Sequence, residues 1–184
     1  MLLEVKLVKL REEDLDIVAK WRMLPEITKY MYTDPRITPE SQRKWFKSIK
    51  NDNSVRYWII LADNIKVGLI CLTNIDYVNK RCYWGYYIAD KSARGKGLAR
   101  LLECNIYDYV FFNLKLNKFC SEVLAFNERV VSIHKKFGSE VEGVLKQHVY
   151  KNGTFHDVVC MGITKDRWEN IRKQFDYDKI EIEE

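Results

Sequence analysis

The feature that most constrains this chain is the stretch S-A-R-G-K-G-L-A-R, residues 92–100, which separates a strand-rich segment from a leucine-rich helix. Glycine adopts positive φ values that other residues avoid, so Gly95 and Gly97 predict a tight turn at the start of that helix. A helix N-terminus carries unpaired N–H groups and the positive end of the dipole, which attract anions. Three cations add positive charge: Arg94, Lys96 and Arg100. A solvated basic turn is the simpler reading, but the position before an amphipathic helix favours an anion-binding loop.

Hydrophobic periodicity predicts the elements before this loop. Residues 2–10 alternate polar and apolar side chains, as a strand does, and helical spacing follows from Glu12. Thr38 suits the N-cap of a second helix, with Pro39 at its first position. Turn residues then divide three strands of an antiparallel meander: 56–62, 66–75 and 81–89.

The elements after the loop alternate between helix and strand. A helix begins at Leu98, and a strand, a helix and a hairpin follow, at 118–125, 127–137 and 141–163. Asn152-Gly153 at the tip is the strongest hairpin signal in the chain. A short helix at 165–175 and an acidic tail end the sequence. The order predicts an α/β (α+β) fold, a mixed sheet with helices on both faces, in a single domain over residues 1–184.

Composition limits the class of protein. No apolar run approaches the ~20 residues that a membrane-spanning helix needs, so we expect a cytoplasmic protein with no membrane partner. The five cysteines are scattered and suit free thiols, and no zinc-ligand spacing is present, so no metal is expected. The net charge of +5 is spread along the chain, which weighs against a nucleic-acid partner. The 13% aromatic content leaves room for a homodimer interface.

Two common phosphate-binding loops do not fit the glycine stretch. A P-loop needs a hydroxyl after Gly-Lys to bind magnesium, but Leu98 follows Gly97. A dinucleotide-binding turn needs a third glycine or alanine where Arg100 stands, and it belongs to a βαβ unit that a meander does not supply.

The spacing Arg94-x-x-Gly97-x-Ala99 resembles the Gln/Arg-x-x-Gly-x-Gly/Ala signature of the GNAT superfamily of acetyl-CoA-dependent N-acetyltransferases. A second stretch, N-E-R-V-V-S-I-H-K-K-F-G at 127–138, resembles that family's N-x-x-A-x-x-L-Y-x-K-x-G-F pattern. The resemblance implies a mostly antiparallel sheet of about seven strands, split between the fourth and fifth strands, with acetyl-CoA in the opening. Side chains would obstruct a diphosphate at the turn, which agrees with the two glycines.

The resemblance also implies the cofactor contacts. Backbone groups of Ile88 and Ala89 would pair with the pantetheine arm, and Asn127 would bind near it. The diphosphate would lie against the turn and the first residues of the helix: Arg94, Gly95, Lys96, Gly97, Leu98, Ala99 and Arg100.

Acetyl transfer needs a neutral amine and a proton for the departing thiolate. The family commonly donates that proton from a tyrosine, and His134 stands at the same register here. The helical spacing of His134 with Val130 and Phe137 alone favours a histidine buried in the core. Its position in the family pattern instead favours a role as the proton donor. Glu122 is the nearest candidate for the base, although a strand-edge charge is an equal reading and ordered water can replace a dedicated base.

The prediction of which amine is acetylated depends on a narrower resemblance. The segments at 21–33, 37–46 and 142–159 look like those of acetyltransferases that act on a UDP-linked 4-amino-4,6-dideoxy sugar in pseudaminic acid biosynthesis. That likeness and the need for cations and aromatics around a nucleotide sugar point to a set of acceptor residues: Arg22, Tyr30, Met31, Tyr32 and His148. A spermidine or protein N-terminal acetyltransferase and a non-catalytic coenzyme A sensor are the alternatives.

Overall fold

The structure, a computed structural model, describes residues 3–184, so residue 2 of the first predicted strand lies outside it. It contains eight strands: β1 Val5–Lys9, β2 Arg56–Ala62, β3 Ile65–Asp76, β4 Arg81–Ile88, β5 Lys118–Leu124, β6 Glu140–Lys151, β7 Thr154–Thr164 and β8 Glu181–Ile182. Six α-helices accompany them: α1 Leu15–Arg22, α2 Pro25–Thr28, α3 Pro39–Ile49, α4 Leu98–Asp108, α5 Glu128–Lys136 and α6 Lys165–Ile171. A π-helical turn, Tyr109–Asn113, extends α4.

Local sequence signals explain most of these boundaries. Asn152 and Gly153 take φ values of 51° and 78°, as a two-residue hairpin turn requires. Thr38 caps α3 because its hydroxyl accepts a hydrogen bond from the Ser41 amide, and the Thr38 amide donates in turn to the Ser41 hydroxyl oxygen. The predicted hairpin and helix start are therefore confirmed.

The strands form one mixed sheet in the order β6-β7-β5-β4-β3-β2-β1-β8. The parallel pairing of β4 with β5 covers only the first three residues of each strand, Arg81 to Tyr83 and Lys118 to Cys120. The predicted mixed sheet of about seven strands is confirmed, and its eighth strand, β8, lies in the acidic tail. This two-residue strand pairs in parallel with β1, and Trp58 Nε1 donates to the carbonyl of Glu183 at 2.7 Å.

The chain divides into two compact units. The first comprises the residues up to Thr73, Gly85–Leu98 and Ile180–Glu184. Its core includes a cluster on which α1 and α3 pack against β2 and β3: Leu10, Val18, Ile59 and Leu69, with Trp45 and Phe46 half-buried beside them.

The second unit comprises Asn74–Trp84 and Ala99–Lys179. Its core is unusually aromatic, since Tyr107 makes edge contacts with Phe119 and Trp168 at ring-centroid distances of 5.4 and 5.1 Å. A smaller apolar cluster joins β5 to β7 through Val123, Val159 and Met161.

Two features are absent from residues 3–184. None of the helices there has the length and apolar character needed to cross a bilayer. No group of three or more His, Cys, Asp or Glu side chains in that range is arranged to hold a metal ion.

Candidate active site

The glycine stretch forms a loop in the first unit, between the end of β4 and the start of α4. Asp90 shapes its first part, because the Asp90 carboxylate accepts a hydrogen bond from the Ser92 amide at 2.8 Å. Lys91 pairs with Glu26 at 3.1 Å, which ties the loop to α2. These two contacts hold the first part of the loop.

Gly95 and Gly97 both have φ of +80°, which confirms that the turn needs residues free to adopt the left-handed region. No heavy atom lies within 4 Å of the position that a Cβ would occupy at either glycine. Within residues 3–184, the amides of Gly95, Lys96 and Gly97 donate to no backbone carbonyl. Consecutive unpaired N–H groups before a helix are a typical arrangement for binding a phosphate.

The end of β4 is already partly hydrogen-bonded. The amide of Ala89, the first residue after β4, donates to the Val67 carbonyl of β3 at 2.8 Å. Arg94 turns back along the chain, and its Nη2 donates to the Ile88 carbonyl at 2.7 Å. The Arg94 guanidinium thus already donates to one of the backbone groups that the resemblance assigned to pantetheine.

The remaining cofactor candidates lie at helix starts. The Leu98 side chain is buried and anchors the first turn of α4, which continues through half-buried Ala99 to exposed Arg100. Asn127 precedes α5, where its carbonyl accepts hydrogen bonds from the amides of Val130 and Val131. The Asn127 side chain makes no capping hydrogen bond, which leaves its amide group for a ligand.

His134 lies in the last turn of α5 and is buried, with 4% of its surface exposed. Its Nδ1 lies 2.7 Å from Oε1 of Glu103 on α4, whose side chain is fully buried. The Tyr107 hydroxyl donates to the other oxygen of Glu103 at 2.8 Å and lies 3.1 Å from the Ser139 hydroxyl. The structure therefore gives His134 a carboxylate partner and a hydrogen-bonded network of four side chains.

Glu103 and Tyr107 are not among the site residues predicted from the sequence. An acidic side chain next to the leucine stripe of α4 was the available signal, because a buried carboxylate needs partners. The candidate base, Glu122, lies elsewhere in this unit: its side chain is exposed on β5, opposite Cys160 of β7.

Arg22 lies at the end of α1 in the first unit. Its Nη2 donates to the carbonyl and hydroxyl oxygens of Thr33, at 3.0 and 3.1 Å. Its Nη1 is buried and has no hydrogen-bond partner within residues 3–184. Burial lowers the pKa of Arg22, although nearby Tyr87 and Asp34 oppose that shift. The guanidinium stays protonated, because its ordinary pKa is far above neutrality.

The other acceptor candidates are more exposed. Tyr30 and Tyr32 are 39% and 36% exposed, and the Lys29 ammonium lies 4.5 Å from the centre of the Tyr30 ring. Met31 between them is half-buried, and its amide donates to the Thr28 carbonyl at 2.8 Å. This short segment after α2 presents aromatic rings beside cations.

His148 belongs to the second unit and is exposed in a bulge of β6. Three residues of β6, 146–148, stand opposite the single residue Asp157 of β7. The Asp157 carboxylate accepts hydrogen bonds from the Gln147 amide and the Lys146 ammonium, both at 2.8 Å. Gln147 has a φ of 50°, which the bulge imposes.

Comparisons with known proteins identify the family of this chain. A family model described as acetyltransferase (GNAT) domain matches residues 4–140. Spermidine N(1)-acetyltransferase of Escherichia coli K12 is 29% identical over 164 residues, which cover 89% of this chain and 88% of that protein. Acetyltransferase PseH of Campylobacter jejuni is 27% identical over 128 residues, which cover 70% of this chain and 78% of that protein.

A solved structure agrees with this assignment. Spermidine N-acetyltransferase from Vibrio cholerae, in complex with CoA and spermine, superposes with a TM-score of 0.85 at 26% identity. The match covers 91% of this chain and 99% of that one. The chain belongs to the GNAT family, and it is an enzyme that transfers an acetyl group from acetyl-CoA to an amine.

Proposed function

We propose that the acceptor is an amine on an oxygen-rich, anionic small molecule, and specifically the 4-amino group of a UDP-linked 4-amino-4,6-dideoxy sugar. The observation that carries this proposal is Arg22, whose guanidinium is half-buried and has one nitrogen, Nη1, without a hydrogen-bond partner within residues 3–184.

A buried charged donor without a partner costs free energy, which a ligand can restore by supplying an acceptor oxygen. The planar guanidinium matches the oxygens of a diphosphate, a carboxylate or a uracil carbonyl. Because Arg22 stays cationic, a polycation placed against it would meet repulsion. An acceptor rich in oxygen therefore suits this site better than a polyamine.

The charge of the surrounding segment supports the same choice. Residues 22–41 contain three acidic and three basic side chains, so the segment has no excess of carboxylates to attract a polyamine. Glu26 is one of the three acids, and its carboxylate is already paired with Lys91. A backbone hydrogen bond and that lysine hold the pKa of Glu26 below its usual value.

Acetyl-CoA supplies the activated acetyl group, and the residues of this chain fit its charged part. The unpaired amides of Gly95, Lys96 and Gly97 would bind the diphosphate, and Arg100 would add positive charge. In this proposal His134 donates a proton to the departing thiolate. Glu122 remains the candidate base. Because its side chain is exposed, it could take the proton from the amine either directly or through a water molecule.

Spermidine is the second candidate acceptor. Two spermidine acetyltransferases, from Escherichia coli and Vibrio cholerae, match about nine-tenths of this chain, and the Vibrio cholerae structure contains spermine. Similarity of that extent supports a polyamine acceptor, whereas the environment of Arg22 weighs against it.

The test measures thiol release from acetyl-CoA with three acceptors in parallel: a UDP-4-amino-4,6-dideoxy sugar, spermidine and a peptide with a free N-terminus. We expect the sugar to give the highest kcat/KM. Arg22→Met should raise the KM for the sugar by about tenfold or more, in line with loss of a charged hydrogen bond. Arg36→Met is the control, because Arg36 is an exposed arginine of the same segment.

The remaining outcomes are equally decisive. If spermidine is turned over faster than the sugar, and Arg22→Met does not change that rate, the acceptor is a polyamine and not the sugar. Turnover of the peptide alone would make this a protein N-terminal acetyltransferase. Binding of coenzyme A without turnover of any amine would favour a sensor.

A further inference from the structure

Two tyrosine hydroxyls of the first unit have no part in the proposed acetyl transfer. Tyr57 lies on β2 and Tyr87 lies near the end of β4, and both side chains are half-buried. Within residues 3–184, neither hydroxyl makes a hydrogen bond. A hydroxyl has one donor and two acceptor sites, so both groups are available to a ligand.

Both tyrosines lie on the face of the sheet that α1 and α3 cover. Tyr57 stands opposite Cys71 of β3, and the Cys71 thiol donates to the carbonyl of Gly85 on β4 at 3.5 Å. Tyr57, Cys71 and Tyr87 all pack against the apolar cluster that joins this face to the two helices. The ring of Trp45 on α3 meets the Tyr57 ring edge-on, at a centroid distance of 5.2 Å. The two phenols therefore belong to one aromatic surface beneath the helices.

Arg22 reaches the same surface from the end of α1. Val18, one turn earlier on that helix, belongs to the apolar cluster, and residues four positions apart share a helix face. Burial raises the pKa of Tyr87, and the charge of Arg22 opposes that shift, so the two side chains interact electrostatically. The Tyr57 phenol also acts on Tyr87. Arg22, Tyr57 and Tyr87 thus form one group, which we call the tyrosine site.

The charge of the tyrosine site does not change near neutral pH. Burial raises the pKa of both phenols, so they stay hydroxyls that donate and accept hydrogen bonds. The Arg22 guanidinium stays cationic. The carboxylates that act electrostatically on these groups are Asp34 and Asp52, and both are exposed. The site therefore presents one positive charge and two neutral hydroxyls beside aromatic rings.

This combination of groups suits a sugar ring. The aromatic rings offer apolar surface to its C–H groups, and the two hydroxyls match its hydroxyl and acetamido oxygens. A diphosphate carries more negative charge than one guanidinium balances. A polyamine near neutral pH has only donors and positive charge, so it would leave the Arg22 guanidinium without an acceptor and would be repelled by it.

We propose that the tyrosine site recognises the sugar ring of the acceptor, and that Tyr57 and Tyr87 determine specificity by donating hydrogen bonds to its hydroxyl or acetamido oxygens. The inference rests on the proposed function, because it takes a nucleotide sugar as the acceptor. Nη1 of Arg22 supplies the charged donor, and the two tyrosines supply the neutral donors. The uracil of the acceptor lies outside the tyrosine site.

The first experiment measures binding without turnover. The probe is UDP-N-acetylglucosamine, which carries an acetamido sugar but has a hydroxyl in place of the 4-amino group. Calorimetry on the full chain with saturating coenzyme A gives its Kd and that of UDP. We expect Tyr57→Phe and Tyr87→Phe each to raise the Kd for UDP-N-acetylglucosamine about 2- to 10-fold, the effect of one lost hydrogen bond. The Kd for UDP should stay within about twofold, because UDP has no sugar ring at the tyrosine site.

Tyr77→Phe is the matched control, because Tyr77 is an exposed tyrosine in the turn between β3 and β4. It should change neither Kd. A second measurement separates recognition from a structural role. Since the hydroxyls of Tyr57 and Tyr87 have no partner within residues 3–184, both Phe variants should keep the urea midpoint of the unmodified chain. A lower midpoint would show that the hydroxyl stabilises the fold, and would contradict the proposal.

Failure of this inference differs from failure of the proposed function. If the UDP-4-amino sugar is the best acceptor but both Phe variants bind UDP-N-acetylglucosamine normally, the tyrosine site does not recognise the sugar. Equal losses of affinity for UDP and UDP-N-acetylglucosamine would also overturn the inference. If spermidine is the best acceptor and UDP-N-acetylglucosamine does not bind, the proposed function fails, and the sugar assignment of the tyrosine site fails with it.

Discussion

One nitrogen of the Arg22 guanidinium donates to both oxygens of Thr33, the backbone carbonyl at 3.0 Å and the hydroxyl at 3.1 Å. These contacts hold the guanidinium in one orientation and leave Nη1 as the donor without a partner within residues 3–184. Thr33→Val removes the hydroxyl and keeps the carbonyl. We expect the KM for the acceptor to rise about 2- to 10-fold, the effect of one lost hydrogen bond.

Steady-state kinetics with varied acceptor will check this. The KM for acetyl-CoA should not change in Thr33→Val, which separates an acceptor effect from a general loss of structure. An acceptor KM equal to that of the unmodified enzyme would show that the Thr33 hydroxyl does not orient Arg22.

The glycine turn predicts a defect in cofactor binding. Replacing Gly97 by alanine places a Cβ in open space but at a φ of +80°, which costs about 1–2 kcal/mol. The backbone can relieve that strain by leaving the conformation that presents the amides of Gly95 and Lys96. We expect the Kd for coenzyme A, measured by calorimetry, to rise at least tenfold.

Gly143→Ala is the control for this variant, since Gly143 on β6 also faces open space but has no left-handed φ. Equal effects of the two substitutions on coenzyme A binding would contradict an anion-binding role for the turn.

Gly68 predicts a defect in stability. A Cβ at this position of β3 would lie 2.1 Å from the carbonyl oxygen of Tyr87 on β4, and that backbone atom has no freedom to move aside. Gly68→Ala should lower the free energy of unfolding in urea by about 2 kcal/mol or more. Gly85→Ala, on β4 with no atom within 4 Å, should have a small effect by comparison.

We expect the environment of Asp108 to make the free energy of unfolding depend on pH in the acid range. Its carboxylate is nearly buried and accepts hydrogen bonds from four side chains: Trp168, Arg172, Tyr177 and Lys179. Burial alone would raise the pKa of Asp108, but the hydrogen bonds from Lys179, Trp168 and Tyr177 outweigh it and hold the pKa below its ordinary value. The ionised form therefore stabilises the fold above about pH 4, and this stabilisation is lost as the pH falls through the lower folded-state pKa.

Asp108→Asn should accordingly lower the free energy of unfolding near pH 7 by about 1–3 kcal/mol and flatten its decrease below pH 4. Denaturant titrations at several pH values will measure both effects. Asp166→Asn is the control, because Asp166 is exposed on α6. An unchanged acid profile in Asp108→Asn would contradict the role of this carboxylate.

The parts of the fold that the sequence predicted are those set by neighbouring residues. The turn at Asn152-Gly153 needs only two adjacent residues that adopt positive φ. Thr38 caps α3 through a hydrogen bond with Ser41, three positions away. The glycine turn was predictable for the same reason, since its requirement is local. The family signature then supplied the cofactor, which the residues alone left as an unspecified anion.

The missed features depend on distant partners. Glu103 and His134 are 31 positions apart, and no local pattern brings them together. Strand β8 contains two residues and exists because it pairs with β1, more than 170 positions earlier. The single domain, the cytoplasmic location, the homodimer and the individual site residues remain predictions.

The bulge in β6 also affects how the protein should behave at high concentration. Strand β6 is at one end of the sheet order, and the part of it before the bulge carries the exposed apolar side chains of Val141, Val144 and Leu145. An open edge of this kind is a template for aggregation. The bulge held by Asp157 interrupts that edge after Leu145. A second chain could therefore pair only with the short segment before the bulge and not with all twelve residues of β6. We therefore expect Asp157 to oppose fibril growth by holding the bulge in place.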